Sequence, residues 1–299
     1  MVVAVVVNYN GAPVTRVCVD SLRAGKGPRV HVVIADNASE SADLEELERL
    51  YGEADDVEIV RVPENRHFAG GVNAGAARAL EIGATHVLVL NNDTVIEPDC
   101  VKRLMRVSDD HPEAGIVGPI LLDLGDRHPL SLGERYSAWS LALPRALLKV
   151  RSVGDGRPYR VGGIMGSALL VTRECFERVG PYDENLLVYY EEVDFCLRAR
   201  SRGFQPIVEP KAVVLHDGLR GFTAGITPYA AYLKCRNQLW VMRKHGGVAA
   251  WLAFSPTYAA LVVTSAMIYA GRRNWAVVRS MFDGTRDGIR GGDEALPTW

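Results

Sequence analysis

The sequence predicts an α/β fold: a mostly parallel sheet with helices on both faces, followed by a C-terminal helical extension. Through residue 122, short runs rich in Val, Ile and Leu alternate with stretches of helical character. The apolar runs are continuous rather than alternating, which is typical of strands buried on both faces. From residue 227 onward the strand signals stop, and the sequence predicts helices.

The first 122 residues contain five strand-like runs and four helix-like stretches. Strands are predicted at residues 2–7, 30–35, 57–62, 86–90 and 115–122, and helices at residues 14–24, 42–51, 72–82 and 98–109. Parallel strands joined through helices point the same way, so their carboxyl ends share one edge of the sheet, where ligands bind.

Beyond residue 122 the alternation is interrupted. Residues 123–160 hold three prolines, several glycines and mixed charge, which predicts a surface insertion, partly helical at 140–150. The elements expected next are a strand entered from residues 161–171, a helix at 173–179, a helix at 191–202 ended by Gly203, and strands at 205–208 and 212–215. We therefore expect parts at 1–122, 123–226 and 227–299, the first two forming one domain.

The overall composition excludes several protein classes. Hydrophobic residues make up 48% of the chain and charged residues 23%, which is enough apolar material for a core and excludes a disordered chain. The net charge of −2 argues against a nucleic-acid binder. Five cysteines without CxxC spacing predict neither a disulfide framework nor a zinc ribbon, so we expect a reducing cytoplasm. The apolar start lacks a preceding basic segment, which favours a strand over a signal peptide.

The C-terminal part differs in charge from the rest. Residues 196–299 hold 14 Lys and Arg against 6 Asp and Glu, while the preceding part is acidic. A basic tail suits an anionic membrane surface or anionic ligands, and the alternative is a chance imbalance on a solvated surface. Residues 248–270 carry no charge but include Pro256 and several hydroxyl residues, so a helical hairpin on the body or in a membrane interface is favoured over a span.

Polar side chains mark the predicted strand ends. Asn91, Asn92 and Asp93 follow the fourth strand, and His216 follows the last one. Carboxylate and amide oxygens suit hard divalent cations such as Mg²⁺ and Mn²⁺, which keep positions for substrate phosphates. Turn formation and helix capping are the alternative reasons for such residues.

An acidic cluster begins the helix predicted at 191–202. Glu191 and Asp194 share one face of this helix, while Glu192 points elsewhere. Adjacent carboxylates raise one another's pKa and disfavour joint ionisation unless a cation is near. Alternatively, they complement the helix dipole, with Asp194 pairing with Arg198 four residues on.

A glycine-rich segment follows the third strand. Gly70 and Gly71 would let backbone approach a phosphate or a sugar near a helix N-terminus. The dinucleotide fingerprint GxGxxG is missing after the first strand, and the GxxxxGK[ST] motif is missing too. The sequence therefore predicts a nucleotide ligand held in another way, and ranks a NAD-dependent oxidoreductase far lower.

Taken in order, these motifs resemble glycosyltransferase family 2, the inverting enzymes of GT-A fold that use nucleotide sugars. The matching residues are 5–10, 36–39, 65–75, 90–94, 166–170, 191–198 and His216, and residues 284–291 resemble the rhamnosyltransferase-like branch. The resemblance implies a Rossmann-like sheet, with 1–122 as the nucleotide-sugar half and 123–226 as the acceptor half. The helical extension is 227–299.

The resemblance also implies a role for individual residues. Asp93 and His216 would hold Mg²⁺ or Mn²⁺, and Glu192 or its neighbour Glu191 would be the general base. Acceptor contacts or support of the site would come from Gly166, Ser167, Asp194 and Arg198. The donor would be bound by Asn8, Tyr9, Asn10, Asp36, Asn65, Phe68, Gly70, Gly71, Asn73, Asn91, Asn92 and Asp93.

The implied activity is metal-dependent transfer of a sugar to an acceptor hydroxyl with inversion. The expected donor is dTDP-rhamnose or another dTDP-deoxysugar, with UDP-sugars second, and the acceptor is a glycan, a lipid-linked precursor or a small molecule. The implied location is the cytoplasm, with peripheral contact at the inner face of the membrane. The family usually has Asp where Glu192 stands, Gly at His67 and Asp at Asn91, and these departures motivate the alternative of a catalytically silent nucleotide-sugar-binding scaffold.

Overall fold

The computed structural model describes residues 1–137, 140–141, 149–150, 152–217 and 226–291. Most of the helix predicted at 140–150 lies outside these residues, as do the last eight residues of the predicted extension.

The described residues contain ten strands and nine α-helices. The strands are β1 Val2–Asn8, β2 Val30–Asp36, β3 Val57–Arg61, β4 His86–Asn91, β5 Thr94–Ile96, β6 Ile116–Asp123, β7 Pro129–Ser131, β8 Tyr159–Arg160, β9 Ala168–Thr172 and β10 Pro206–His216. The helices are α1 Ala12–Arg23, α2 Ser41–Tyr51, α3 His67–Glu81, α4 Cys100–Asp110, α5 Arg173–Val179, α6 Glu191–Ser201, α7 Pro228–His245, α8 Val248–Gly271 and α9 Trp275–Arg290. A 3₁₀ turn covers Glu184–Leu186.

One mixed sheet forms the centre of the molecule, in the order β3-β2-β1-β4-β9-β6-β10-β5. Strands β1 to β4 pair in parallel, and so do β6 and β10. Strand β9 is antiparallel to both β4 and β6, so the two parallel blocks point the same way. The predicted α/β architecture is confirmed, and the carboxyl ends of β1, β2, β4, β6 and β10 lie at one edge.

The sheet is covered on both faces by apolar packing. Along β1, Val2, Ala4 and Val6 belong to one core cluster, while alternate residues belong to the cluster on the other face. This arrangement explains the continuous apolar run in β1, because neither face reaches solvent. A third cluster joins α6 to the C-terminal helices α7, α8 and α9. The extension is therefore packed against the helix that carries the acidic residues.

Several elements differ from the sequence predictions, among them strands β7 and β8, which lie in the predicted surface insertion. Helix α3 begins at His67, five residues before the predicted start at residue 72. The two strands predicted at 205–208 and 212–215 are one strand, β10, whose pairing with β6 shifts at a bulge between Glu209 and Val213. Strand β5 was not predicted, and Thr94 lies in it, so the Asp93–Thr94 pair does not cap α4.

Candidate active site

The turn between β4 and β5 brings Asp93 next to His216. Strand β5 pairs with β10, and Thr94 lies opposite His216. The Oδ1 atom of Asp93 is 3.2 Å from Nε2 of His216. This oxygen is buried and accepts no hydrogen bond from any residue that the structure describes. The two side chains therefore face each other, and a buried carboxylate oxygen of Asp93 is left without a hydrogen bond among the described residues.

This geometry fits a divalent cation. The amide nitrogen of Asn91 lies 3.4 Å from Nε2 of His216. In the tautomer whose Nε2 carries no proton, this nitrogen would be available to a metal ion. A carboxylate oxygen and an imidazole lone pair repel each other unless a cation lies between them. Oxygen and imidazole ligands suit Mn²⁺, and Mg²⁺ accepts the oxygen ligand more readily than the nitrogen. Asp93 and His216 would hold such an ion, leaving other positions for water and phosphate.

A short segment before β9 connects this pair to the acidic cluster. The backbone nitrogen of Asn91 donates to the carbonyl oxygen of Ser167 at 3.0 Å. A Cβ atom on Gly166 would lie 3.3 Å from Cβ of Glu192 and 3.7 Å from Oε1 of Glu191. Gly166 therefore allows close approach of the carboxylates to the strand ends. The structure thus brings together the predicted metal ligands and the two predicted bases.

Asp194, in the first turn of α6, is a buried anion held by two cationic groups and a histidine. Its oxygens lie 2.7 Å from Nε of Arg198, 2.7 Å from Nζ of Lys244 and 2.9 Å from Nε2 of His245. Burial alone would raise the pKa of Asp194, but the His245 hydrogen bond and the charges of Arg198 and Lys244 outweigh it. The pKa is held well below its usual range, so Asp194 stays ionised and anchors α6 to α7. The i+4 pair with Arg198 is present as predicted.

The segment that leads into α6 has an unusual backbone. Leu187, Tyr189 and Tyr190 have φ angles of 61°, 70° and 72°, in the left-handed region that favours glycine. Each such residue costs on the order of 1 kcal/mol or more. The fold must therefore hold this segment in place by other contacts.

Two residues of α7, which the sequence analysis missed, supply those contacts. Arg236 donates from Nη2 to the carbonyl oxygen of Asn185 at 2.7 Å. Asn237 is fully buried, and its Nδ2 lies 2.6–3.0 Å from the carbonyl oxygens of Leu186, Val188 and Tyr189. The signal available in the sequence was a polar triplet, Arg236 to Gln238, inside a helix that is otherwise rich in apolar residues.

At the β1 end of the site, Asn8 has a structural role. Its Nδ2 lies 2.8–3.0 Å from oxygens of Asp36, Ser39 and Asp43, and its Oδ1 accepts from Thr15 at 2.7 Å. The side chain is buried, and both of its N–H groups are used. Its amide N–H groups are therefore used within the protein, and the donor contact predicted for Asn8 stays a prediction. Asn8 fixes Asp36, a predicted donor ligand.

The side chains next to Asn8 differ in solvent exposure and in hydrogen bonding. Tyr9 is 52% exposed at the end of β1, and its ring is accessible for stacking. Asn10 has φ of 50°, and its Oδ1 accepts from the backbone nitrogen of Glu40 at 2.8 Å. Asn92 donates from Nδ2 to Oγ1 of Thr15 at 3.1 Å. Asn10 and Asn92 thus hold the loops around Tyr9.

The start of α3 is organised by Asn37, another residue that was not predicted as part of the site. Its Nδ2 donates to Oδ1 of Asn65 at 3.0 Å and to the carbonyl oxygen of His67 at 2.8 Å, and its Oδ1 accepts from the nitrogen of Arg66. His67 has φ of 56°, so the position that is usually Gly in the family does require the left-handed region. Phe68 packs partly against the core.

His67 also contacts the C-terminal extension. The hydroxyl of Tyr229, in the first turn of α7, is 3.1 Å from Nδ1 of His67, and the two rings are stacked with centroids 6.1 Å apart. Burial, with a smaller contribution from the charge of Arg236, lowers the pKa of His67. The imidazole is therefore neutral at pH 7 and held against α7.

The glycines of α3 serve close packing. A Cβ atom on Gly71 would lie 2.6 Å from Cγ1 of Val7, and one on Gly75 would lie 2.3 Å from Cγ1 of Val5. One on Gly70 would meet the side chain of Arg66. From His67 onward the predicted cradle at 65–75 is helical, and Gly71 and Gly75 let this helix lie close to β1. Donor binding by Gly70 and Gly71 stays a prediction.

The Asn73 side chain likewise makes its hydrogen bonds within the protein. Its Oδ1 accepts from the backbone nitrogen of Tyr182 at 2.8 Å, and its Nδ2 donates to the carbonyl oxygen of Tyr182 and to Oε1 of Glu184. This arrangement joins α3 to the segment before α6. The prediction that Asn73 binds donor stays a prediction.

A second group of potential metal ligands lies at the turn between β6 and β7. The ligand atoms of Asp123, Asp126 and His128 all lie within 4.8 Å of one another. Asp123 is buried and pairs in register with His216, while Asp126 and His128 are exposed. Oδ1 of Asp126 is 2.5 Å from Nδ1 of His128, so these two side chains already satisfy each other. This group was not predicted.

We predict that Asp194→Asn lowers the free energy of unfolding by about 3 kcal/mol at pH 7, because it breaks a buried ion pair. The loss is read from urea unfolding. A carboxylate with a depressed pKa stabilises the fold above its unfolded pKa of about 4, and this contribution declines as the pH falls below that value. The difference between wild type and variant should therefore shrink below pH 4. The control is Asp110→Asn, which breaks an exposed ion pair with Arg106. It should change the free energy of unfolding by less than about 0.5 kcal/mol, both at pH 7 and below pH 4.

A second prediction concerns Asn237. In Asn237→Asp, the shape is kept but the donors facing three carbonyl groups are lost, so the segment before α6 relaxes and Glu191 and Glu192 move. We expect kcat to fall by about 100-fold with a small change in donor KM, measured as nucleotide release from the donor. Unchanged kcat in a folded variant would contradict this positioning role.

Comparison with known proteins gives the family. Residues 3–179 match the model of glycosyl transferase family 2. The chain is 24% identical over 295 residues to dTDP-rhamnosyl transferase RfbF of Shigella flexneri, covering 96% of this chain and 95% of that protein. It is 28% identical over 267 residues to N-acetylglucosaminyl-diphospho-decaprenol L-rhamnosyltransferase of Mycobacterium tuberculosis, covering 81% and 84%.

The fold also agrees with solved structures. Mannosyltransferase PcManGT from Pyrobaculum calidifontis, in complex with GDP-Man and Mn²⁺, superposes with a TM-score of 0.60 at 16% identity, covering 96% of this chain and 86% of that one. The family match and the named relatives favour an enzyme over a silent scaffold and over an oxidoreductase. The chain therefore belongs to glycosyl transferase family 2 and is a glycosyltransferase of the rhamnosyltransferase-like type.

Proposed function

We propose that this enzyme transfers a sugar from a pyrimidine nucleoside-diphosphate sugar to an acceptor hydroxyl, with metal dependence and with inversion. The supporting observation is the buried Oδ1 of Asp93, which lies 3.2 Å from Nε2 of His216 and lacks a hydrogen bond among the described residues. Gly166, in the adjacent segment, lies close to Glu191 and Glu192. The preferred donor is dTDP-rhamnose or another dTDP-deoxysugar, supported by the relative named dTDP-rhamnosyl transferase. UDP-sugars are the second choice.

The donor binds across the carboxyl ends of β1, β2 and β4 in this proposal. The exposed ring of Tyr9 stacks on the base, and Asp36, fixed by Asn8, accepts from the pyrimidine edge. Asn65 and Phe68 lie where the ribose and diphosphate pass, on a segment that Asn37 holds in position. Residues 1–122 form the donor half, and residues 123–226 form the acceptor half.

Mg²⁺ or Mn²⁺ held by Asp93 and His216 neutralises charge on the diphosphate when bound. The protein residues do the rest of the chemistry. Glu192, or Glu191 beside it, takes the proton of the acceptor hydroxyl. The freed oxygen forms a bond to the anomeric carbon as the bond from that carbon to the diphosphate oxygen breaks, so a nucleoside diphosphate leaves. Attack from the opposite face inverts the anomeric configuration.

The acceptor is a glycan, a small molecule or, as our first choice, a lipid-linked precursor. The last is supported by the relative whose name includes diphospho-decaprenol. We place the enzyme in the cytoplasm, peripherally at the inner face of the membrane, where such an acceptor is anchored.

The metal role is tested with Asp93→Asn and His216→Ala. We expect each variant to lose Mn²⁺-dependent binding of dTDP in calorimetry and at least about 100-fold in turnover of dTDP-rhamnose, since the ion contributes several kcal/mol. The control His128→Ala alters the other ligand group and should keep both properties. Full turnover by Asp93→Asn would exclude the proposed metal site.

The base is assigned by comparing Glu192→Gln with Glu191→Gln. Loss of the general base should lower kcat by about 10²–10⁴-fold while dTDP binding with Mn²⁺ stays unchanged. We expect the larger loss in Glu192→Gln. A larger loss in Glu191→Gln assigns the base to that residue instead, and full activity in both variants would overturn base catalysis by this cluster.

A further inference from the structure

The hairpin of α8 and α9, residues 248–291, leaves a large apolar surface uncovered. Helix α8 is the one helix among the described residues that is long and apolar enough to cross a membrane, and only 22% of its most apolar stretch is buried. The exposed large apolar side chains of the hairpin are Val248, Leu252, Val263, Met267, Ile268, Trp275, Phe282 and Ile289. Monomeric soluble proteins rarely expose so many in one region, and such surfaces mark interaction sites.

The exposed residues form a regular pattern on each helix. On α9, Trp275, Phe282 and Ile289 are spaced by seven residues, so they follow one side of the helix two turns apart. Leu252 and Met267 on α8 are 74% and 70% exposed. The opposite sides of both helices are buried against the third core cluster. The hairpin is thus anchored on one side and apolar on the other.

Helix α8 is held to the protein too firmly for it to span a bilayer in this arrangement. The stripe Ala250, Phe254, Tyr258, Val262 and Ala266 is buried. Tyr258 donates to the carbonyl oxygen of Cys235 at 3.1 Å and lies 2.9 Å from Oγ1 of Thr285. A span would expose these groups to lipid, whereas a helix lying in the interface keeps them.

Charge indicates which partner fits this surface. Residues 248–291 contain five arginines and two aspartates, and α8 itself contains no charged residue. Arg279 is highly exposed, with its side chain at 87%, and lies one turn from Trp275 and Phe282 on α9. Its Nε is 3.6 Å from a carboxylate oxygen of Asp283. Apolar residues flanked by arginine, with a tryptophan at one end, match the interface of an anionic bilayer. A second copy of the chain would instead bring like charges together.

The hydroxyl groups of Ser255 and Thr257 on α8 do not oppose this placement. Ser255 donates to the carbonyl oxygen of Trp251 at 2.8 Å, and Thr257 donates to that of Ala253 at 3.1 Å. Because these hydroxyl protons are satisfied within the helix, moving them into the interface leaves no donor unpaired.

We infer that the outer surface of the α8–α9 hairpin lies in the headgroup region of an anionic membrane leaflet, as an interfacial anchor. The inference deepens the proposed peripheral location and rests on it. It places α7, which holds the segment before Glu191, directly behind the anchored helices, and so brings the acceptor half of the site towards a lipid-linked acceptor.

The test is flotation of the full chain with vesicles of phosphatidylglycerol mixed with phosphatidylcholine. We expect binding that weakens with salt, and at least about 100-fold weaker partitioning for Leu252→Glu combined with Met267→Glu. The matched control is Val17→Glu, which changes a residue of α1 with 53% exposure and should bind as wild type. Calorimetric binding of dTDP with Mn²⁺ should be unchanged in all these proteins.

Three outcomes would overturn the inference. In the first, the wild-type protein binds dTDP but does not bind the vesicles. This result would leave the proposed transfer activity intact. The second is a wild-type dimer that Leu252→Glu with Met267→Glu converts to monomer, which assigns the surface to a second copy. The third is attachment that resists both high salt and alkaline carbonate, which indicates a spanning helix. If the wild-type protein does not bind dTDP, this result counts against the proposed function and not against the membrane anchor.

Discussion

The buried charge of Asp194 is the interaction on which the active-site geometry depends. It lies in the first turn of α6, two residues from Glu192, and it is neutralised from its own helix by Arg198 and from α7 by Lys244 and His245. A carboxylate that is fully buried must be paired. Packing of α7 against the helix with the two glutamates therefore supplies partners that this buried carboxylate requires.

The same helix stabilises the strained backbone before α6. Three non-glycine residues in the left-handed region are tolerated because Asn237 binds three successive parts of that segment, and Arg236 binds one more. Strain of this kind persists only where surrounding contacts determine it, and it is concentrated at functional sites. Here it directs the start of α6, with Glu191 and Glu192, towards Gly166 and the strand ends.

Much of this arrangement could be predicted from the sequence, because strand direction follows from local patterns. The polar ends of β4 and β10 are each recognisable alone, and parallel topology brings them to one edge. The start of α3 could not be predicted, since a glycine-rich helix resembles a loop until Val5 and Val7 are known to lie behind it. The role of Asn237 depends on contacts with residues about 50 positions away. The hydrogen bonds of the Asn8 amide to Asp36, Ser39 and Asp43 likewise depend on contacts between distant parts of the chain.

Helix α7 has a consequence for how relatives of this enzyme can be recombined. Its 18 residues span roughly 27 Å, and it contacts His67 through Tyr229 at one end and Asp194 through Lys244 and His245 at the other. A chimera that joins the first 226 residues of one enzyme to the tail of another would separate partners at both ends. The exchangeable unit is instead the start of α3, residues 185–201 and α7 together, and these three segments are expected to vary in concert.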